Sequence, residues 1–220
     1  MKEETLNRVN ELITRYPALE PNKDDVTKAL DILITAFTNG GKLLLCGNGG
    51  SAADCNHIVG VLMKSFKKKR PIDASLKRKL KNLDMAAGEY LSHTLQQGLP
   101  AISLAAHTGY MTAFSNDSSA MAVFANQVLT YGTKGDVFWA LSTSGESKNV
   151  IMAAMTAKAK GLKIIGLTGQ NPCTLDKYCD VSIHVPAIEK YQVQEYHLPI
   201  YNAICLGLED EFFDKWLKRY

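Results

Sequence analysis

The sequence has no long hydrophobic run. Its longest apolar stretches, such as Leu43–Cys46 and Val137–Leu141, have about the length of a β-strand, whereas a membrane helix needs about 18–20 apolar residues. The amino end carries Glu3 and Glu4 and has no apolar core region, so it does not resemble a secretory signal. We therefore expect no membrane partner.

Paired cysteines and a strong charge excess are also absent. The 5 cysteines are odd in number and form no C-x-x-C pair. Because Cys46 and Cys205 lie in apolar stretches, we expect reduced thiols and a cytoplasmic location. The formal net charge of +3 is too small to indicate a nucleic-acid partner. Basic residues do crowd positions 64–81, either as a solvated helix face or as a patch for an anionic ligand or partner.

What the sequence does contain is a globular composition, with 46% hydrophobic and 21% charged residues. Its length predicts one α/β domain over residues 1–220. Two helices are expected in residues 1–40, separated by Pro17 and Pro21, as an N-terminal helical extension. Short apolar runs then alternate with helical segments, which is typical of a doubly wound parallel sheet with helices on both faces. The strand candidates are Lys42–Cys46, Ala101–Leu104, Val137–Leu141, Lys163–Leu167 and Val181–Val185.

The loop after the first strand, Gly47–Ala52, reads G-N-G-G-S-A and opens a helix. Glycines let backbone N–H groups turn toward a ligand, and a helix N-terminus favours an anion. The loop also fits the dinucleotide fingerprint G-x-G-x-x-A. However, the next strand ends in Leu104–His107 without the acidic residue that would hold a ribose. A phosphate site is therefore favoured over a nucleotide site, with a plain tight turn as the alternative.

A second strand-to-helix loop is rich in hydroxyl groups. Residues 142–147 read S-T-S-G-E-S, with four hydroxyls in six positions. Together with the N–H groups of a helix start, these hydroxyls can satisfy three phosphate oxygens without a fixed positive charge. We call residues 142–147 the cradle. The alternative is that Ser144 or Ser147 is simply the N-cap of the next helix.

These two loops, in this order, resemble the sugar isomerase (SIS) domains of the phosphoheptose isomerase group. The resemblance extends to Asn116-Asp117, to Leu167-Thr168-Gly169 and to V-Q-E-x-H at residues 193–197. It implies a three-layer fold with a five-stranded parallel sheet, a homotetramer and a phosphorylated sugar as ligand. The residues implied to hold phosphate or sugar are Asn48, Gly49, Ser51, Asp117, Ser142, Thr143, Ser144, Ser147 and Gln194.

The resemblance weakens at the positions that carry proton transfer. The family uses H-x-x-x-E after the first loop, and a Gln followed eight residues later by a His. The matching residues here are His57, Val61, Gln194 and Asn202. Valine cannot transfer a proton, and asparagine cannot exchange one, so the acid–base pair is replaced. One imidazole and one amide also make a poor zinc ligand set, and we predict neither a metal nor a cofactor.

Other residues are therefore needed if the chain is an isomerase. The candidates in the matched segments are Glu195, His197 and His57, each with a structural alternative: a helix-start acid, a core histidine and an interface histidine. The chain also carries a helical insert at residues 72–97, which is either an extra interface element or a lid. The predicted function is a phosphosugar aldose–ketose isomerase. The alternative is a non-catalytic phosphosugar sensor or interaction tetramer, related to the replication-initiator-binding SIS proteins.

Overall fold

A computed structural model describes residues 1–213 and contains one parallel sheet. The strand order across the sheet is β2-β1-β3-β4-β5, and every pairing is parallel. The strands are β1 (Leu43–Cys46), β2 (Ala101–Ser103), β3 (Val137–Leu141), β4 (Lys163–Thr168) and β5 (Val181–His184). The predicted doubly wound, five-stranded parallel sheet is confirmed. The domain predicted over residues 1–220 includes positions 214–220, which lie outside the described residues.

Helices cover both faces of this sheet. They are α1 (Glu3–Arg15), α2 (Lys23–Thr38), α3 (Gly50–Met63), α4 (Ala74–Leu83), α5 (Met85–Thr94), α6 (Thr108–Phe114), α7 (Val123–Tyr131), α8 (Lys148–Ala159) and α9 (Lys190–Phe212). The predicted N-terminal extension is present as α1 and α2, joined by a 3₁₀ turn at Pro17–Asn22. Between residues 1 and 213, no helix is both long and apolar enough to cross a membrane.

Alternate residues of each strand point into two separate cores. Leu43 and Leu45 of β1 join a core with α1, α2, α3 and α9, whereas Leu44 and Cys46 join a core with α7 and α8. This alternation explains why the strands are apolar throughout: a strand covered on both faces has no solvent side.

The insert folds as a helical hairpin made of α4 and α5. Each helix begins with an aspartate whose Oδ1 accepts a backbone N–H three residues on: Asp73 from Leu76 at 2.9 Å and Asp84 from Ala87 at 2.8 Å. Gly88 lies so close to the carbonyl of Leu80 that a side chain there would overlap it. The two helices therefore pack on each other.

The last helix runs through Pro199 instead of beginning after it. A proline inside a helix lacks an N–H and clashes with the carbonyl four residues earlier, which normally kinks the helix or ends it. Helix α9 spans Lys190–Phe212 and buries Pro199. It therefore carries Gln194 and Asn202 on one continuous element.

Candidate functional site

The two loops predicted to bind a ligand lie side by side. Strands β1 and β3 are hydrogen-bonded neighbours, and parallel strands bring their carboxyl ends to the same edge of the sheet. The amide of Asn48 donates to Oδ1 of Asn149 at 2.9 Å, and the amide of Asn149 donates back to Oδ1 of Asn48 at 2.9 Å. This amide pair joins the loop after β1 to the first turn of α8, and Asn149 was not predicted from the sequence.

The cradle is a tight turn with a buried floor. Ser142 is 4% exposed, and its N–H donates to the carbonyl of Leu167 on β4 at 3.1 Å. Its Oγ accepts the N–H of Gly145 at 3.1 Å and lies 3.3 Å from Oγ of Ser147. Gly145 has a φ of +65°, a left-handed conformation that favours glycine. The cradle thus gathers two hydroxyls on one side of a turn that only glycine adopts readily.

The hydroxyl of Ser147 is not consumed as a helix cap. Ser147 occupies the N-cap position of α8, but its side chain makes no capping hydrogen bond within the described chain. The N–H of Val150 donates to the carbonyl of Ser147 and to Oδ1 of Asn149, at 3.0 Å each. Ser144 accepts the N–H of Glu146 at 3.2 Å and is exposed. The Ser147 alternative of a plain N-cap is therefore not what the geometry shows.

The segment at residues 174–175 is hydrogen-bonded to the cradle and stabilises its turn. Oε1 of Glu146 accepts the N–H of Thr174 at 2.6 Å, and the N–H of Leu175 donates to the carbonyl of Gly145 at 3.2 Å. The hydrogen bond from Thr174 holds the pKa of Glu146 below its usual range. Glu146 is therefore a structural acid that fixes the shape of the turn.

The loop after β1 meets the last helix. Ser51 is 3% exposed in the first turn of α3, and Gly49 before it has a φ of +55°. A Cβ on Gly50 would lie 2.9 Å from Cδ of Gln194, so the Gln194 carboxamide rests directly on the Gly50 backbone. The structure thus brings the predicted residues Asn48, Gly49, Ser51 and Gln194 to one end of α3.

The predicted acid–base candidates do not share one environment. Glu195 is exposed and lines a pocket of about 430 Å³ with Tyr16 and Gln192. His197 is 0% exposed, and its Nε2 lies 3.4 Å from the carbonyl of Thr168. Burial lowers the pKa of His197 to about 4. This is what the core-packing alternative for His197 predicts.

His57, Val61 and Asn202 also lie in different environments. His57 is exposed on α3, with its ring centroid 5.7 Å from that of Tyr201. Val61 is 6% exposed and belongs to the core. Asn202 lines a different pocket, of about 170 Å³, between α1 and α9, and its buried Oδ1 has no hydrogen-bond partner among residues 1–213. Because Val61 offers no ligand atom and Asn202 faces α1, these positions do not fit the zinc site of the resembled family.

Asp117 lies on a different element from the cradle. It sits in a five-residue π-helical turn, Ser115–Ser119, and its Oδ1 accepts a hydrogen bond from Nδ2 of Asn116 at 2.9 Å. The side chain is exposed. Turns of this type occur frequently at functional sites, but no described contact joins Asp117 to the cradle.

A carboxylate–phenol pair between α3 and α9 was missed in the sequence. The hydroxyl of Tyr201 donates to Oδ1 of Asp54 at 3.0 Å. Burial raises the pKa of Asp54, against the opposing effects of the Tyr201 hydrogen bond and of His57. Burial and the Asp54 charge raise the pKa of Tyr201 as well. The sequence offers one signal for this pair. Asp54 lies one helical turn after Gly50, so the two residues are on the same face of α3.

Comparisons with known proteins match most of this chain. The family model for the SIS domain matches residues 6–94 and 84–169. A phosphoheptose isomerase from Helicobacter hepaticus is 34% identical over 206 residues, covering 94% of this chain and 88% of that protein.

Two solved structures have the same fold. Phosphoheptose isomerase GmhA from Neisseria gonorrhoeae has a TM-score of 0.67 at 28% identity, covering 89% of this chain and 92% of that one. A phosphoheptose isomerase from Francisella tularensis has a TM-score of 0.68 at 26% identity, with coverages of 94% and 93%.

Proposed function

This chain belongs to the SIS domain family, and we propose that it binds a phosphorylated sugar and isomerises it between its aldose and ketose forms. The observation that carries the proposal is the cradle, in which serine hydroxyls surround a turn at the start of α8. The resemblance inferred from the sequence motifs is confirmed by the family match.

We propose that the cradle holds the phosphate. The hydroxyls of Ser142, Thr143, Ser144 and Ser147 are the proposed donors, with Ser51 from the neighbouring loop. The starts of α3 and α8 carry the positive end of the helix dipole, which favours an anion. A phosphate held in this way pairs with no lysine or arginine, so its release does not require breaking an ion pair.

The sugar is proposed to extend from the cradle along α3. Gln194 and Asn48 flank the same loop, and we assign them, with Gly49, to the sugar. Asp117 remains a proposed sugar ligand on the strength of the resemblance alone. For proton transfer, Glu195 and His57 are accessible, whereas the burial of His197 supports a packing role.

The non-catalytic alternative has one specific observation in its favour. Val61 is a core residue and Asn202 faces another pocket, so the family acid–base pair has no replacement at its own positions. A phosphosugar sensor would keep the cradle and need no base. The replacement of the catalytic pair at these two positions stays part of the proposal.

We also propose a homo-oligomer in a cytoplasmic setting. Large apolar side chains are exposed on the insert hairpin, including Leu83 at 85% and Met85 at 71%. Symmetric association of identical chains is the commonest way to cover such a surface. The cytoplasmic location expected from the cysteines stays a prediction.

The test is to incubate the purified protein with sedoheptulose 7-phosphate and with shorter sugar phosphates, following thermal stabilisation and product. We expect Ser144→Ala to weaken binding about 10- to 100-fold, because a hydrogen bond to a charged group contributes about 1.5–3 kcal/mol. Ser75→Ala, on the exposed start of α4, is the matched control and should bind like the wild type. Stabilisation without product would favour the sensor. Equal affinity in Ser144→Ala would contradict the cradle.

A further inference from the structure

Helices α3 and α9 bring polar side chains together at two points in the first half of α3. At its start, Gln194 lies against Gly50. One turn along α3, Asp54 meets Tyr201. On a helix, residues three or four apart share a face, so Gly50, Asp54 and His57 form one stripe of α3. The same stripe begins beside Ser51, a proposed phosphate ligand.

Asp54 is the carboxylate that this stripe places nearest to the loop after β1. It lies about 6 Å along the helix axis from Gly50, since each residue rises about 1.5 Å. A sugar phosphate anchored at the helix start would place its carbonyl several bonds away in this direction. Asp54 is half-buried, so it is partly desolvated but still reachable. Glu195 instead faces Tyr16 on the other side of α9.

We propose that Asp54 is the catalytic base and that Tyr201 is a positioning residue that orients the Asp54 carboxylate. This proposal rests on the proposed isomerase function. The Tyr201 hydroxyl holds Oδ1 of Asp54, and the substrate approaches the accessible side of the carboxylate. The charged and titratable neighbours of the pair are His57 and Cys55 on α3 and Cys205 on α9. Neither Asp54 nor Tyr201 occupies the positions matched to the family's acid–base pair.

The chemistry balances with this single base. The Asp54 carboxylate removes a proton from the carbon next to the carbonyl, the C–H pair becomes the C=C bond, and the carbonyl π pair moves onto its oxygen. The neighbouring hydroxyl passes its proton to that oxygen. The new alkoxide collapses to a carbonyl, and protonated Asp54 returns its proton to the other carbon. A base with a raised pKa accepts such a proton more readily, and burial raises the pKa of Asp54.

The experiment separates binding from proton transfer. Sugar phosphates are incubated with the full-length chain in D₂O, and deuterium entering the carbon beside the carbonyl is followed by NMR, with thermal stabilisation measured in parallel. Asp54→Asn keeps an oxygen for the Tyr201 hydroxyl and should fold. We expect it to bind normally and to lose at least 100-fold in exchange rate. Asp31→Asn, on the exposed side of α2, is the control and should exchange like the wild type.

Tyr201→Phe tests the positioning role. The Tyr201 hydrogen bond lowers the pKa of Asp54, so its loss should raise that pKa and move the acidic limb of the kcat/KM profile to higher pH. A uniform loss of activity with an unmoved profile would overturn the positioning role.

The remaining outcomes decide between the proposals. Retained exchange in Asp54→Asn, or its loss in Glu195→Gln but not in Asp54→Asn, overturns Asp54 as the base and leaves the isomerase intact. A wild-type chain that is stabilised by sugar phosphate but neither exchanges deuterium nor forms the isomeric sugar phosphate overturns the isomerase and the base together, and only binding survives.

Discussion

At the scale of single residues, one buried ion pair lies away from the site. Glu209 of α9 and Arg70, which precedes the insert, are 1% and 0% exposed, with Nη2 2.8 Å from Oε1. The Glu209 carboxylate also accepts the N–H groups of Lys67 and Lys68 at 2.8 and 3.0 Å. Arg70 in turn donates to the carbonyl of Leu62 at 2.8 Å. The pair thus fastens the end of α3 and the root of the insert to α9.

We predict that Glu209→Gln lowers the free energy of unfolding by about 3–5 kcal/mol, because it leaves the buried Arg70 charge uncompensated. The glutamine amide would also face backbone N–H donors. Chemical denaturation at neutral pH measures the change. Glu11→Gln removes an exposed partner of Arg8 and should cost less than about 0.5 kcal/mol. A cost for Glu209→Gln as small as that of the control would contradict this account.

The placement of residues was predictable where it depends on local sequence. The cradle serines and the Gly49–Ser51 turn follow from strand-to-helix loops a few residues long. Asn149 opposite Asn48, and Tyr201 on Asp54, could not be predicted, because they join residues 101 and 147 positions apart. Such pairs depend on helix rotation, which periodicity alone does not fix.

At the scale of elements, strands were the most predictable feature. Each predicted strand agrees with the observed one to within a residue, because a strand buried on both faces is a compact apolar run bounded by polar or small residues. The insert was less predictable. Its apolar periodicity indicated helix, but the turn at Asp84 divides it in two. A stripe that looks like a buried face is in part exposed, with Tyr90 at 68%.

The insert hairpin is better suited to be an interface than a source of catalytic acid. Glu89 forms an ion pair with Lys81 and a hydrogen bond with His93, and the Lys81 hydrogen bond, followed by that of His93, holds the pKa of Glu89 below its usual range. Such a carboxylate is a weak base. The exposed apolar side chains, by contrast, call for a covering surface.

We predict that replacing residues 73–95 with two glycines leaves the domain folded and lowers the number of chains per particle in solution. The root of the hairpin would persist, since the Gln97 N–H donates to the Arg70 carbonyl at 2.7 Å. Sedimentation equilibrium measures the mass, and circular dichroism the fold. Leu83→Ser with Tyr90→Ser in the full-length chain should have the same effect. An unchanged number of chains per particle, together with weaker phosphosugar binding, would identify the hairpin as a lid instead.

At the scale of the whole molecule, a group that stabilises the fold and the residues of the candidate site lie at opposite ends of the sheet. The cradle lies at the carboxyl end of β3, whereas Asp136 lies just before its start. Asp136 is 2% exposed and accepts the N–H of Lys42 at 2.9 Å, the Lys42 ammonium at 2.6 Å and the N–H of Thr133 at 2.8 Å. These bonds fix the entry of β1 beside β3. About 20 Å of strand then separates Asp136 from Ser142, at about 3.3 Å per residue.

We predict that Asp136→Asn lowers the free energy of unfolding by about 1.5–3 kcal/mol at neutral pH and leaves phosphosugar affinity unchanged. Burial opposes the ionisation of Asp136, but the bonds from Lys42 and Thr133 outweigh it and lower its pKa. A carboxylate with a lowered folded-state pKa stabilises the fold above the pKa of the unfolded chain, about 4, and loses that contribution as pH falls through the folded value. The difference between wild type and Asp136→Asn in denaturant titrations should therefore be full at pH 7 and shrink below about pH 4.

Ser144→Ala should show the reverse pattern, with weaker binding and near-normal stability. If Asp136→Asn weakened phosphosugar binding as much as Ser144→Ala does, the two ends of the sheet would be coupled and this division would be wrong.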